Sequence, residues 1–110
     1  ANTFKLKTFD GSSTAANAAM TVYTAPAATT TVVLGITLAN ITTSTIYATV
    51  LIENNDGDNV NFLKGVPIPT GSSIEVMSGN KLILETSDVL KVQSDTANSL
   101  DTSLSIMEQA

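Results

Sequence analysis

The sequence contains no cysteine, no histidine and no tryptophan, and all five of its basic residues are lysines, so arginine is missing as well. Without cysteine there are no disulfides, no thiolate metal sites and no thiol catalysis. Without histidine, imidazole-based catalytic triads and the usual zinc sites are excluded. Few kinds of enzyme remain, and we predict a protein that is not an enzyme and needs no cofactor.

The balance of charge disfavours two classes of partner. Ten carboxylates stand against five lysines, for a net charge of -5. No guanidinium is present to read guanine edges or to clamp phosphates, so we expect no nucleic acid partner. Lys5 and Lys7 are the nearest approach to a basic patch, and two such charges are typical of a solvated strand face. For the same reason we expect no membrane partner.

Length and composition predict one folded domain, residues 1–110. A chain of 110 residues with 43% hydrophobic and 14% charged residues has enough apolar material for one core. A secretory signal consists of a basic segment followed by a long apolar stretch. The residues from Ala1 onward show neither feature, so we expect no secretory signal. The most apolar run, residues 32–41, is interrupted by polar residues and is about half as long as a membrane helix. It is typical of a core strand.

Strand signals follow one another along the chain. Residues 45–53 alternate with a period of two, with Ile46, Ala48, Val50 and Ile52 on one face. Residues 31–40 also alternate, which predicts a single face shared by Val32, Leu34, Ile36 and Leu38. Further strands are predicted at residues 3–9, 21–25, 60–64, 73–77, 81–85, 89–94 and 99–107. Residues 15–20 show no sustained helical stripe, and we predict a loop there.

The turns between these strands have their own chemistry. Asp56 and Gly57 favour a tight hairpin with positive φ angles, as do Gly79 and Asn80. Pro67 and Pro69 confine their segment to a sheet edge or a strand entrance. Residues 86–88 form a further turn. Eight or nine short strands without a long helix predict an all-β fold, an antiparallel β-sandwich or jelly roll.

Two segments resemble functional motifs. Residues 78–81, Ser-Gly-Asn-Lys, match the S-x-x-K pattern of serine acyl-enzymes, but that pattern needs a helix and these residues favour a turn. Residues 53–59 group the oxygens of Asn54, Asp56 and Asp58, as calcium sites do. The spacing of an EF-hand loop does not fit. If Gly57 is the sixth residue of the loop, its first and twelfth positions fall on Ile52 and Leu63, and neither side chain can ligate calcium. A polar hairpin tip is the simpler interpretation, with an irregular calcium site as the alternative.

Most of the chain from Thr21 onward resembles small virion structural proteins of tailed bacteriophages. The resemblance rests on TVYTAPAA at residues 21–28, IPTGSSIEV at residues 68–76, KLILETSDVLKV at residues 81–92 and LSIME at residues 104–108. Many proteins of that group have glycine where this chain has Ser87, which leaves the turn type open. The resemblance implies a head decoration or tail-associated subunit present in many copies, without catalytic residues.

We therefore expect a virion protein, assembled in the host cytoplasm, that binds copies of itself and other virion proteins such as capsid or tail subunits. Phe4 and Leu6 are the candidate interface residues, because a terminal strand is free to add to a neighbour's sheet edge. The alternative is a receptor- or glycan-binding module at a tail or fibre tip, which would use the loops at residues 54–59 or 71–73.

Overall fold

A computed structural model of the chain describes residues 2–77 and 81–110 and contains nine strands and no helix within them. Residues 78–80, which include the predicted Gly79-Asn80 turn, lie outside the described residues. The strands are β1 Asn2–Phe9, β2 Met20–Thr24, β3 Thr30–Asn40, β4 Ile46–Glu53, β5 Asn59–Ile68, β6 Ser73–Glu75, β7 Leu82–Leu84, β8 Val89–Ser94 and β9 Leu100–Gln109. Of the predicted loop at residues 15–20, residues 15–19 are turns and loop, whereas Met20 already belongs to β2.

The strands form two antiparallel sheets that pack face to face. Sheet 1 has the order β1-β9-β3-β6, and β7 also pairs with β3, so that β6 and β7 act as two parts of one interrupted strand. Sheet 2 has the order β2-β8-β4-β5. Apart from the β4–β5 hairpin, neighbours within each sheet come from distant parts of the chain, which is the interleaved arrangement of a jelly roll. The predicted all-β sandwich is confirmed.

Every second side chain of a strand points inwards, and these inward-facing side chains fill the space between the two sheets. In β4, Ile46, Ala48 and Val50 are fully buried, whereas Tyr47 between them is 48% exposed. This is the face predicted from the sequence. The apolar residues that line the two inner faces form one cluster, to which β8 contributes Leu90 and Val92. The core therefore lies where one face of each sheet meets the other.

The predicted face of β3 is wrong at its start. Val33 is fully buried and Leu34 is 37% exposed, and the buried set resumes at Ile36 and Leu38. The pairing with β9 shifts between Val33 and Gly35, so the strand contains a β-bulge at this point. One extra residue reverses the alternation, because side chains change faces with every position. Val32 and Leu34 consequently do not share a face with Ile36.

The turns agree with the sequence only in part. Gly57 has a φ of 110°, but Asp56 does not have a positive φ, and the loop between β4 and β5 is longer than a tight two-residue hairpin. The amide of Gly57 donates to the carbonyl of Asn54 at 2.9 Å, and the amide of Asn54 donates to the carbonyl of Asp58 at 2.8 Å. Pro67 lies in β5, an edge strand of sheet 2, as its missing N–H group requires.

The turn at residues 86–88 has the backbone of a glycine turn. Ser87 has a φ of 70°, in the left-handed region that favours glycine. Its amide donates to the carbonyl of Ala25 at 2.9 Å, and the amide of Asp88 donates to the carbonyl of Glu85 at 3.0 Å. The side chain of Ser87 makes none of these contacts. Ser87 therefore holds a left-handed backbone conformation that glycine would adopt with less strain.

We expect Ser87→Gly to stabilise the protein by about 0.5–1 kcal/mol, because relief of the left-handed strain exceeds the extra entropy that glycine gives the unfolded chain. Ser103→Gly is the matched control. Ser103 is an exposed residue of the extended strand β9, and its replacement should cost about 0.5–1 kcal/mol. Urea unfolding at equilibrium measures both changes. A Ser87→Gly protein no more stable than the wild type would contradict the assignment of strain.

Candidate interaction surface

Strand β1 is the longest regular edge in the described part of the chain. It pairs with β9 over all eight of its residues without a register shift. The other edges are interrupted: β2 has five residues and one irregularity, β6 and β7 have three residues each, and β5 has two irregularities and a proline. Short strands, bulges, prolines and inward-pointing charged side chains are the usual means of protecting a sheet edge from pairing. Of these, β1 has only the inward-pointing charges, on Lys5 and Lys7.

The two faces of β1 are reversed relative to those of an ordinary edge strand. Lys5 lies opposite Ile106 of β9, which is 1% exposed, so the lysine is on the side that faces sheet 2. Phe4 and Leu6 are on the other side, which we call the outer face of sheet 1, and they are 71% and 68% exposed. The strand thus turns Phe4 and Leu6 away from the core of its own sandwich, whereas Phe9 lies on the same side as Lys5.

The exposed apolar side chains of sheet 1 are aligned. The pairing places Phe4 opposite Met107, Met107 opposite Val32, and Val32 opposite Ile83. Directly opposed residues point to the same face of a sheet, so these four side chains form one line across β1, β9, β3 and β7. We call them the outer-face row. Ile83 is 54% exposed, and Met107 and Val32 are half-buried.

A buried polar network ties β1 to the interior. Glu108 of β9 accepts a charged hydrogen bond from the Lys5 ammonium at 2.8 Å, and its second carboxylate oxygen accepts the hydroxyl of Tyr23 at 2.5 Å. The Tyr23 hydroxyl also lies 2.8 Å from the hydroxyl of Thr31. Tyr23 belongs to sheet 2, so the network joins both sheets and the edge strand. Sequence patterns did not reveal it, because its members are distant in the chain.

The network changes the acidity of both titratable partners. The hydrogen bonds from Lys5 and from Tyr23 hold the pKa of Glu108 below its ordinary value. Burial, together with the hydrogen bond to the Glu108 carboxylate, raises the pKa of Tyr23 to about 12. Glu108 is therefore charged in the folded protein at neutral pH, and Tyr23 keeps its proton.

We expect acid to weaken this network. Because the pKa of Glu108 is lowered by folding, its contribution to stability is present above the ordinary value of 4.5 and is lost as the pH falls through the folded value. Between pH 7 and pH 3, about the range in which carboxylates titrate, the free energy of unfolding should fall more steeply for the wild type than for Glu108→Gln. Lys5→Met should lie between them. Urea titrations across the range measure this, and equal slopes for the wild type and Glu108→Gln would rule the linkage out.

Two buried threonines offer a direct test of the hydroxyl contacts. Thr31 and Thr102 are 0% and 2% exposed, but the hydroxyl of Thr102 has no hydrogen-bond partner. We expect Thr102→Val to stabilise the protein by about 1 kcal/mol, since it removes an unpaired buried hydroxyl. Thr31→Val should cost about 1 kcal/mol, because it removes a hydroxyl that bonds to Tyr23. Thermal unfolding compares the pair, and changes of the same sign would contradict the assignment.

The predicted metal ligands lie together at the β4–β5 hairpin. The side-chain oxygen of Asn54 accepts the amide of Asp56 at 3.2 Å, and that of Asp56 accepts the amide of Asp58 at 3.4 Å. These are the local hydrogen bonds of a polar turn. Within residues 2–77 and 81–110, no three acidic side chains are grouped closely enough to hold a metal ion. An irregular calcium site at Asn54, Asp56 and Asp58 stays a prediction.

A polar cavity of about 520 Å³ opens beside this hairpin. It is lined by residues 28–30, 54–56, 85, 86 and 88. Asp88 is nearly buried there, but its carboxylate is occupied, because it accepts the amides of Asn55 and Glu85 at 2.8 and 2.9 Å. The cavity therefore offers amide groups, threonine hydroxyls and the carboxylates of Asp56 and Glu85, and the carboxylate of Asp88 serves to hold the two loops together.

The S-x-x-K pattern is mostly outside the described residues, which include Lys81 but not Ser78, Gly79 or Asn80. The structure therefore gives no geometry for it. The described residues also include no helix with the length and hydrophobicity of a membrane span.

Comparison with known proteins gives similarity at the level of fold. No family model and no curated protein matches the sequence. A subunit of the endospore appendages of Bacillus, which are disulfide-linked pili, is 14% identical with a TM-score of 0.53, over 98% of this chain and 84% of that one. A capsid protein of Helicobacter pylori bacteriophage KHP30 is 13% identical with a TM-score of 0.51, over 97% and 86%.

These two neighbours are structural proteins. They share the all-β sandwich fold with this chain. A protein of infectious bursal disease virus, strain Gx, also aligns with 96% of this chain but with only 33% of its own, at a TM-score of 0.48. At such low identities the similarity concerns the fold alone, and the residues that act must be identified from the chain itself.

Proposed function

We propose that this chain is a non-enzymatic structural subunit of a bacteriophage virion, present in many copies as a head decoration or tail-associated subunit. It acts through protein–protein contacts with copies of itself and with capsid or tail subunits, and it joins the particle in the host cytoplasm. The observation that carries the proposal is β1, a regular edge strand whose Phe4 and Leu6 are 71% and 68% exposed.

An open edge strand can contact a neighbour in two ways. Its free backbone groups can extend the sheet of another protein, and its alternate side chains can enter pockets on that protein. In β1 the second contribution comes from Phe4 and Leu6, which the chain's own core does not use. The fold shared with a phage capsid protein and a pilus subunit supports a role in assemblies of repeated subunits.

Repetition explains how small contacts would suffice. A stable protein interface buries about 800 Å² on each partner, and a single strand provides less than that. Around a symmetric particle, however, each attached copy raises the effective concentration of the next contact. A weak contact through β1 would therefore be enough for stable attachment in the particle, and the isolated chain would not need a tight partner.

The double variant Phe4→Ser/Leu6→Ser tests this role. We expect it to fold with wild-type stability, because both side chains are mostly exposed, and to lose its attachment to purified virions of the parent phage in a sedimentation assay. Val60→Ser/Phe62→Ser is the matched control, since these residues are exposed on β5, at an edge of sheet 2. Absence of the wild-type chain from purified virions would overturn the proposal, and full attachment of the β1 variant would overturn the role of β1.

The cavity beside the β4–β5 hairpin favours a second candidate, a receptor- or glycan-binding module at a tail or fibre tip. Asn54, Asn55 and Asp56 line it, and such polar groups suit the hydroxyls of a sugar. The sequence has no tryptophan to stack on a sugar ring, which weakens this candidate. Binding of the purified chain to a glycan array or to host cells, abolished by Asn55→Ala, would favour it over the structural role.

A further inference from the structure

We infer that the free edge of β1 accepts an extended segment of another protein in which apolar residues alternate with acidic ones. This inference rests on the proposed function and names the kind of partner that β1 binds. The segment would extend sheet 1 by one strand. Its apolar residues would lie opposite Phe4 and Leu6, on the outer face of the sheet. Its acidic residues would lie opposite Lys5 and Lys7, on the side that faces sheet 2.

The edge of β1 offers a continuous row of backbone groups. On one side β1 pairs with β9 over all eight of its residues, and on the other side sheet 1 ends. The backbone groups of alternate residues point to opposite edges of a strand, so half of those in β1 face away from β9. Within residues 2–77 and 81–110, no backbone group of another strand or loop bonds to this free edge. An incoming strand therefore finds its main-chain partners unoccupied.

Two lysines determine which strands can pair with this edge. Lys5 and Lys7 lie opposite Ile106 and Leu104 of β9, which are core residues, so both lysines are on the inner side of sheet 1. Directly opposed residues of neighbouring strands have their Cβ atoms about 5 Å apart. A residue of the added strand that lies opposite either lysine is therefore within reach of its ammonium group. A lysine at that position would be repelled, and a glutamate or aspartate would be attracted.

The charge around these lysines is positive, although the net charge of the whole chain is -5. On the inner side of β1 and β9, the charged residues are Lys5, Lys7 and Glu108, which is two lysines against one glutamate. The carboxylate of Glu108 lies 2.8 Å from the ammonium of Lys5. In the described part of the chain Lys7 forms no ion pair. Lys7 is therefore the main cation that a partner's carboxylate can bind.

Phe4 and Leu6 favour apolar residues at the intervening positions of the partner. They are 71% and 68% exposed, and neither belongs to the core cluster. An apolar side chain directly opposite either of them would remove part of this surface from water. Apolar residues and lysines alternate along residues 4–7, and the side chains of any added strand alternate with the same period. The partner segment therefore needs apolar and acidic residues in strict alternation.

The same lysines disfavour β1 of a second copy as the added strand. An antiparallel β1–β1 pair that aligns Phe4 with Leu6 would place Lys5 opposite Lys5 of the other copy. Like charges directly opposed across strands are destabilising, and inward-pointing charges protect sheet edges from indiscriminate pairing. A strand with carboxylates at these positions replaces that repulsion with attraction. Lys5 and Lys7 thus exclude one class of strand and select another.

Binding of labelled peptides to the full-length chain, measured by fluorescence anisotropy, tests the inference. The main probe is a peptide as long as β1 that alternates valine with glutamate. A second peptide has lysine in place of glutamate, and a third groups the same valines and glutamates into two blocks. We expect the alternating glutamate peptide to bind about tenfold more tightly than either of the other two, because only this peptide matches both sides of β1.

Charge reversal at Lys7 identifies the contact. Lys7→Glu should weaken binding of the glutamate peptide about tenfold and strengthen binding of the lysine peptide, since it reverses the charge opposite the probe. Lys64→Glu is the matched control, because Lys64 is an exposed lysine of β5, an edge of sheet 2, and its replacement changes the net charge equally. It should leave the preference between the two peptides unchanged. Lys7→Gln, a milder variant, should reduce the preference without reversing it, and circular dichroism verifies that each variant is folded.

Three outcomes would overturn the inference. The first is a wild type that does not bind the glutamate peptide at millimolar concentration. The second is equal binding of all three peptides. The third is a preference for glutamate that Lys64→Glu reduces as much as Lys7→Glu does. Sedimentation with virions separates these results from the proposed function: a chain that attaches to virions without discriminating between the peptides leaves the function standing, and a chain that selects the glutamate peptide but is absent from virions does the reverse.

Discussion

A two-layer sandwich can bury only one face of each of its sheets, and the organisation of this molecule follows from that limit. The inner faces are satisfied, because Ile36, Ile46, Leu90 and Leu104 from four different strands are fully buried in one cluster. The outer face of sheet 1 has apolar side chains left over. Because only 14% of the residues are charged, the chain has few charged side chains that could cover this apolar surface or repel another protein from it. An additional partner is the physical means by which this surface can leave water.

The Glu108 network determines how firmly the exposed strand is held. Apart from its backbone pairing with β9, β1 has one strong side-chain attachment, the ion pair between Lys5 and Glu108. Since Glu108 also accepts the hydroxyl of Tyr23 from sheet 2, the edge strand is tied to the interior through a single carboxylate. The pairing of β1 with β9 directs the lysines towards the sandwich and Phe4 and Leu6 towards solvent, and the ion pair with Glu108 holds Lys5 in that position.

Local patterns in the sequence were sufficient to predict elements whose alternation is uninterrupted. β8 was predicted with its observed bounds, and the buried face of β4 was predicted correctly, because each reads as a simple period of two. The reversal within β3 could not be predicted, since a bulge depends on the partner strand β9 rather than on the residues around Leu34. For the same reason the sequence suggested Phe4 and Leu6 as a contact but missed Ile83, which joins them only through the register of four strands.

The central claim is that the outer face of sheet 1 is buried by a partner in the assembled state. The most direct measurement is the exposed fraction of the Phe4, Leu6 and Ile83 side chains in a structure of the intact particle. The account predicts that all three are largely buried against another subunit. It would be contradicted by a particle in which this face is open to solvent and the chain is attached through sheet 2 or through the loops.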